Sequence, residues 1–268
     1  MAVALATTHH DPDGRLYAQT ARMLPRLEQV YTSIDAVITP HTQPATQELL
    51  CAAGVRLTLG DGTDGYFQLG RWRRLAVERA LHSSPAATHI HFCDFDRLLH
   101  WAEYYWDELQ ETLTRLQAYD FTILSRTATA LASHPRVQRD TETLVNHIFG
   151  LASGHMWDVT AAARGLSRLA AQAIVGACRD DTVGTDCSWP LFILRAGNLT
   201  MGCLETEGLE FETLDRHPAE IAALGGPAVW KAHIDDDPRQ WARRLDLARV
   251  EVQSVLACDK LPANPQKD

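Results

Sequence analysis

The sequence predicts an α/β domain built on a mostly parallel sheet with helices on both faces. Two observations carry this. Short apolar runs alternate with segments of helical spacing through about the first 125 residues, and the acidic tripeptide Asp94-Phe95-Asp96 stands where one such run gives way to a helix. Strands alternating with helices pair in parallel, and open sheets of this kind bind ligands at the carboxyl edge of their strands.

Val3 to Thr7 is the first strand and runs into the polar loop His9-His10-Asp11-Pro12-Asp13-Gly14. Leu16, Thr20, Met23, Leu24 and Leu27 then recur at helical spacing. Asp35 to Thr39 is the second strand, Gln43 to Ala53 a short helix, Gly54 to Leu59 the third strand and Gly60 to Gly65 a loop by composition. A helix from Gly70 to Leu81 carries Arg71, Arg73, Arg74 and Arg79, and Ser83-Ser84-Pro85 ends it before the strand His89 to Cys93. Beyond the acidic pair a helix begins near Leu98, and the four-residue spacing of Trp101, Tyr105, Leu109 and Leu113 makes it amphipathic. Phe121 to Ser125 is another strand.

The pattern weakens from Thr127 to Ser153. Thr160 to Ala177, rich in small residues, reads as helical, and Leu191 to Leu194 and Leu199 to Leu204 are two more apolar segments. A closing helix from Pro238 to Leu256 puts Trp241, Leu245, Ala248, Val252 and Val255 on one face, with a frayed tail from Pro262 to Asp268. Neither a repeat nor a linker interrupts the chain. One domain over residues 1–268 is expected, with a ligand-binding half to about residue 125 and an elaborated half from about 126 to 260.

A 46% hydrophobic content is enough for a sizeable core, and no apolar run approaches the roughly 18 residues that cross a bilayer. With no basic and long apolar leader at Met1 to Thr8, a soluble cytoplasmic protein is expected. The net charge of −9 argues against nucleic-acid binding. Six cysteines without a CxxC pair or zinc spacing read as mostly buried free thiols.

Asp94 and Asp96, two apart on an extended segment, would share one face at the strand's end and converge on a hard cation. Magnesium or manganese held by one or two carboxylates completes its shell with phosphate oxygens, so the pair points to a diphosphate ligand. The competing reading makes Asp96 a helix cap with Asp94 solvated. The functional reading requires both side chains to protrude into an open crevice; side chains turned inward or tied up by neighbouring arginines, with no cavity beside them, would end it.

Arg71 and Arg74 begin a helix after a glycine-rich loop, which suits an anion, whereas Arg73 and Arg79 read as a solvated face. Thr7 and Thr8 end the first strand, where they face a ligand or cap the loop. Asp186, beside Cys187 and Trp189, is a candidate proton acceptor if its surroundings desolvate it; the alternative is a helix cap. His233 and His217 could complete a metal site, His233 being preferred because it stands just ahead of the closing helix.

The order of strand-end threonine, Gly70-Arg71 with Arg74-Leu75-Ala76, Phe92-Cys93-Asp94-Phe95-Asp96, and Asp186 before an apolar helix resembles glycosyltransferases of the GT-A fold. It is most similar to the family 2 synthases and their relatives that make glucosyl- or mannosyl-3-phosphoglycerate. The resemblance implies a metal-dependent transferase, using Mn2+ or Mg2+, that moves a sugar from a nucleotide-diphosphate donor to a small-molecule or lipid-linked hydroxyl acceptor. It further implies that Gly70, Arg71, Arg74, Thr7, Thr8 and Asp94 line the nucleotide. Asp94, Asp96 and His233 would hold the metal, and Asp186 would be the base of inverting members. Asp158-Val159-Thr160 with Arg164 resembles the acceptor loop, making Thr160 and Arg164 acceptor contacts, although Ala161, Ala162 and Ala163 replace the family's small and aromatic residues.

Two other classes remain: a non-catalytic nucleotide-sugar-binding protein, and a nucleotidyltransferase on the same architecture. The second wants a glycine-rich basic loop after the first strand, where this chain has His9 to Asp13. A haloacid-dehalogenase-type phosphatase has its acidic motif after the first strand and continues it into Thr, unlike Arg97-Leu98 here. Donor base, sugar, acceptor, stereochemical course and homo-oligomerisation stay open.

Overall fold

Val3–His9 (β1) is buried at all of its positions, and a strand buried on both faces belongs in the middle of a covered sheet. In the computed structural model, which describes residues 2–61 and 68–259, it does. The elements that follow are α1 (Tyr17–Val30), β2 (Ile34–Ile38), α2 (Pro44–Ala52), β3 (Arg56–Leu59), α3 (Leu69–Ser83), β4 (His89–Phe92), α4 (Phe95–Tyr104), α5 (Trp106–Arg115) and β5 (Phe121–Arg126). Then come α6 (Ala128–Ala132), α7 (Arg136–Ser153), β6 (Ala163–Ser167), α8 (Arg168–Ala177), α9 (Thr185–Ala196), β7 (Met201–Thr206), α10 (Pro218–Leu224), α11 (Pro227–Asp236) and α12 (Pro238–Asp259).

The seven strands form one sheet in the order β3-β2-β1-β4-β6-β5-β7, with β6 antiparallel to both neighbours and every other pairing parallel. Alternation along β1 divides the core. Val3 and Leu5 face α1, α4 and α5 through Leu24, Leu27, Leu98, Trp101 and Leu109. Ala4 and Ala6 face α3 through Ala76, Val77 and Ala80, together with Trp189 of α9. Small residues on both sides there let α3 lie close to the strand ends, which positions its first turn near the acidic pair.

The strand and helix expectations hold within a residue or two up to β4, apart from His9, which extends β1, and the region expected to be weakly patterned is occupied by α6 and α7. Of the loop Gly60 to Gly65, residues 62–65 lie outside the described residues, as does the tail Pro262 to Asp268. Four corrections matter. The helix after the acidic pair starts at Phe95, not near Leu98, because the chain turns helical directly after Asp94. The single amphipathic helix is two, broken at Tyr105, whose φ of −133° and ψ of 46° leave the helical region. On α12, Leu245 points outward while Val250, Glu251, Val255 and Cys258 are buried.

The fourth is the stretch from Thr160 to Ala177, whose first part is β6 rather than helix. Ala163-Arg-Gly-Leu-Ser lacks β-branched residues and is held as a strand by its two neighbours, β4 and β5. Gly165 is needed there: a Cβ would stand 2.9 Å from the Leu116 Cβ and 3.2 Å from the Thr122 Cβ. Gly165→Ala should therefore cost about 1–3 kcal/mol of overpacking, read as a lowered urea midpoint.

Among the described residues no helix is long and apolar enough to cross a membrane, and all six cysteines are free, four of them buried.

Candidate active site at the carboxyl edge of the sheet

The acidic pair sits at the end of β4, next to the end of β1. Asp94 is the N-cap position of α4 but makes no side-chain cap, and Asp96 lies in the first helical turn. The shared face of an extended segment is thus replaced by a strand-to-helix turn, and the two carboxylates have different partners. Asp94 Oδ1 accepts from Thr8 Oγ1 at 2.6 Å and Oδ2 from Arg73 Nη2 at 2.8 Å. Asp96 Oδ1 accepts the Arg97 amide at 2.9 Å and Oδ2 accepts from Arg216 Nη2 at 3.0 Å. Arginines beside it hold the Asp96 carboxyl below the usual range despite burial, Arg216 foremost.

Both acids are therefore paired with arginines, against the expectation of free side chains, yet both also line open space. A cavity of about 400 Å3 includes Thr8, His9, Thr39, Trp72, Asp96 and Arg216. A second, of about 290 Å3, includes Asp94, Asp96, Thr160, Asp186, Arg244 and Glu251. Asp94, Asp96 and Arg97 line both.

Arg73 joins the two carboxylates that matter most, since its Nη1 donates to Asp186 Oδ1 at 2.7 Å. Asp186 is 5% exposed in the first turn of α9. Burial pushes its carboxyl up, outweighing Arg73 and Arg164. Its position follows from the sequence. Pro190 has no N–H, so the carbonyl four residues earlier, that of Asp186, loses its helical partner. Arg164, fully enclosed, donates Nη2 to that oxygen at 3.1 Å and also bonds the Ala163 and Val159 carbonyls. A buried orphan carbonyl and a buried cation satisfy each other.

The wall of the second cavity rests on Arg126, whose side chain is wholly buried. It donates to Asp158 from Nε at 2.7 Å and from Nη2 at 2.9 Å, to Glu142 at 2.7 Å and to Thr160 Oγ1 at 2.8 Å. Asn146 adds a bond to Asp158 at 2.7 Å. The Arg126 guanidinium beside it holds the Asp158 carboxyl well below the usual range, against the opposing pull of burial.

Of the residues selected from the sequence, Thr8, Asp94, Asp96, Thr160 and Asp186 line these cavities. Thr7 does not: it is enclosed and donates to the Cys93 carbonyl at 2.7 Å, tying β1 to β4. Gly70 instead takes a close packing contact, because a Cβ would stand 2.3 Å from the Thr182 carbonyl oxygen. Arg74 bonds the carbonyl of Asp180 and the carboxylate of Asp181, and Arg71 pairs with Asp61 at the surface. Arg164 positions Asp186 without reaching a cavity. His233 is exposed within α11 rather than in a loop, and it lines neither cavity. His217 directly follows Arg216, with Nδ1 2.8 Å from Glu220.

Arg73, read from the sequence as solvated, is 3% exposed and is the arginine of α3 that faces the site. Helical spacing could have found it, because 73, 76, 77 and 80 fall on the buried stripe. His9, Arg97 and Arg216 had no such signal. His9 ends β1, is 4% exposed with neither ring nitrogen hydrogen-bonded, and is lowered to about 4 by burial and Arg216, so it is neutral.

For a metal the available donors are two carboxylates. Among the described residues no group of three or more His, Cys, Asp or Glu side chains is arranged to hold one. That set suits a hard ion whose remaining ligands are phosphate oxygens and water, and does not make a site of protein ligands alone.

No family model and no curated protein matches the chain by sequence. Glucosyl-3-phosphoglycerate synthase from Mycobacterium tuberculosis, whose structure was solved with Mn2+, uridine diphosphate and phosphoglyceric acid, is similar over 97% of this chain and 79% of its own, with a TM-score of 0.54 and 10% sequence identity. With its mostly parallel seven-stranded sheet, one antiparallel strand and acidic turn at the carboxyl edge, the chain has the GT-A fold that its sequence resembles.

Proposed function

We propose that the chain is a metal-dependent glycosyltransferase that moves a sugar from a nucleotide-diphosphate donor to a hydroxyl acceptor. The observation that carries this is the junction of two cavities at Asp94 and Asp96, with a second buried carboxyl, Asp186, on the wall of one of them. The larger cavity suits the nucleoside and the smaller the acceptor. A neighbour of the same fold solved with Mn2+ and uridine diphosphate supports the reading.

Asp96, with Asp94 beside it, would hold the divalent cation, Mn2+ or Mg2+. When bound it supplies Lewis-acid neutralisation of the charge that grows on the departing diphosphate. Arg216 holds Asp96 at 3.0 Å and can exchange that carboxylate for diphosphate oxygens, to which a guanidinium is equally suited. In an inverting course the acceptor hydroxyl gives its proton to Asp186. Its oxygen bonds to the anomeric carbon, and the bond from that carbon to the diphosphate oxygen breaks, releasing the nucleotide diphosphate. Arg73 orients both Asp94 and Asp186 for this.

The test is release of nucleotide diphosphate from a panel of UDP- and GDP-sugars with Mn2+. Release should stop in chelator and fall at least tenfold in Asp96→Asn at limiting metal, the usual scale for disturbing a metal site. Release that ignores chelator rejects the metal role. Tight donor binding without release on any acceptor would instead identify a nucleotide-sugar-binding protein.

A further inference from the structure

The smaller cavity has a feature the transfer reaction leaves unused. Glu251 of α12 is 5% exposed, lines the cavity with Asp186 and Thr160, and makes no hydrogen bond among the described residues. A buried carboxyl without a partner is costly unless something else occupies its oxygens. The guanidinium groups around it are already engaged. Arg73 serves Asp94 and Asp186, Arg97 pairs with Glu212 at 3.7 Å, and Arg244 donates to Glu142 at 3.2 Å and Gln138 at 2.5 Å. Arg243 stands at the exposed mouth. Against these four guanidinium groups the cavity has six carboxyl groups.

We infer that the acceptor taken by this cavity is an uncharged polyhydroxy compound, a sugar or polyol without phosphate or carboxylate, and that Glu251 is the side chain that selects it. This rests on the transferase reading of the same site. A phosphate needs guanidinium donors that are free; Arg216 can release Asp96 because the cation takes that carboxylate over, whereas Arg73 and Arg97 would leave Asp186 and Glu212 buried without their partner. A hydroxyl both donates and accepts, so it fits carboxyl groups in either protonation state. Burial, together with Asp186 and Glu142, pushes the Glu251 carboxyl well above its ordinary range, which favours the neutral form that donates to an acceptor oxygen.

The experiment uses the full chain, Mn2+ and whichever UDP- or GDP-sugar it binds, with matched acceptors: glycerol against glycerol 3-phosphate, and glucose against glucose 6-phosphate. The neutral member of each pair should have the higher kcat/KM by at least tenfold. Glu251→Leu, which removes both oxygens at similar size, should raise the KM for the neutral acceptor about tenfold, the scale of one lost buried hydrogen bond, and Glu251→Gln, which keeps a donor and an acceptor, should recover most of that loss. Nucleotide diphosphate Kd should stay within twofold, which excludes general unfolding. Preference for the phosphorylated member, an unchanged KM in Glu251→Leu, or donor hydrolysis with no transfer to either member overturns the inference while leaving donor chemistry intact. A chain that neither binds nor cleaves any donor fails at the transferase reading itself.

Discussion

Asp186→Asn is expected to lower kcat for sugar transfer by about 10²–10⁴, the range of a lost general base, with nucleotide diphosphate affinity nearly unchanged. Asparagine keeps the oxygen that accepts from Arg73 Nη1 at 2.7 Å, so the arginine bridge to Asp94 survives and only proton acceptance is removed. The carboxyl's pKa is raised by burial, so the wild-type rate should climb with pH through a midpoint above that of an ordinary aspartate, and the variant should lose that limb. Steady-state kinetics across pH, alongside calorimetry with nucleotide diphosphate, separates the two effects. A loss below tenfold would assign the proton to another group.

Arg126→Ala is expected to destabilise the fold by about 3–5 kcal/mol, because it leaves Asp158 buried without its cation and Glu142 with Arg244 alone. The urea midpoint should fall with the m-value unchanged. The same pair sets an acid limit. The folded carboxyl of Asp158 titrates well below its unfolded value near 4, so its contribution is complete above about pH 4 and is lost as pH falls toward the folded value. Wild-type stability should therefore drop on acidification more steeply than that of Asp158→Asn, which starts lower and has less to lose. Equal slopes would mean that Asp158 is not held by Arg126.

The parts of the molecule legible in the sequence are those where periodicity and chemistry agree. β1 to β4 and their helices alternate legibly because β1 and β2 are buried throughout, α1 and α3 show a buried stripe, and the half-exposed edge strand β3 is set off by Gly54 and Gly60, and the acidic tripeptide stands out against that frame. β6 was hidden because its strand character comes from β4 and β5, not from its own alanines and Gly165. Adjacency misleads for the arginines: Arg71 and Arg74 flank the one that turns inward, and counting from Ala76, Val77 and Ala80 singles out Arg73. Pro190 already announced that the Asp186 carbonyl needs an outside donor, but only the fold says that Arg164 supplies it. Arg216 comes from a short 3-10 stretch, Glu212–Arg216, with no periodic signal, and is brought to Asp96 across 120 positions of chain. His233 stands just ahead of the closing helix in the sequence, but α11 turns it to the surface.

The most direct measurement is the electron paramagnetic resonance of Mn2+ titrated into the protein with and without UDP or GDP. The geometry at Asp94 and Asp96 predicts one tight ion per chain only when the nucleotide diphosphate is present, since two carboxylates leave most of the shell to phosphate and water, and predicts its loss in Asp96→Asn. Tight Mn2+ without nucleotide, or binding that persists in Asp96→Asn, would contradict it.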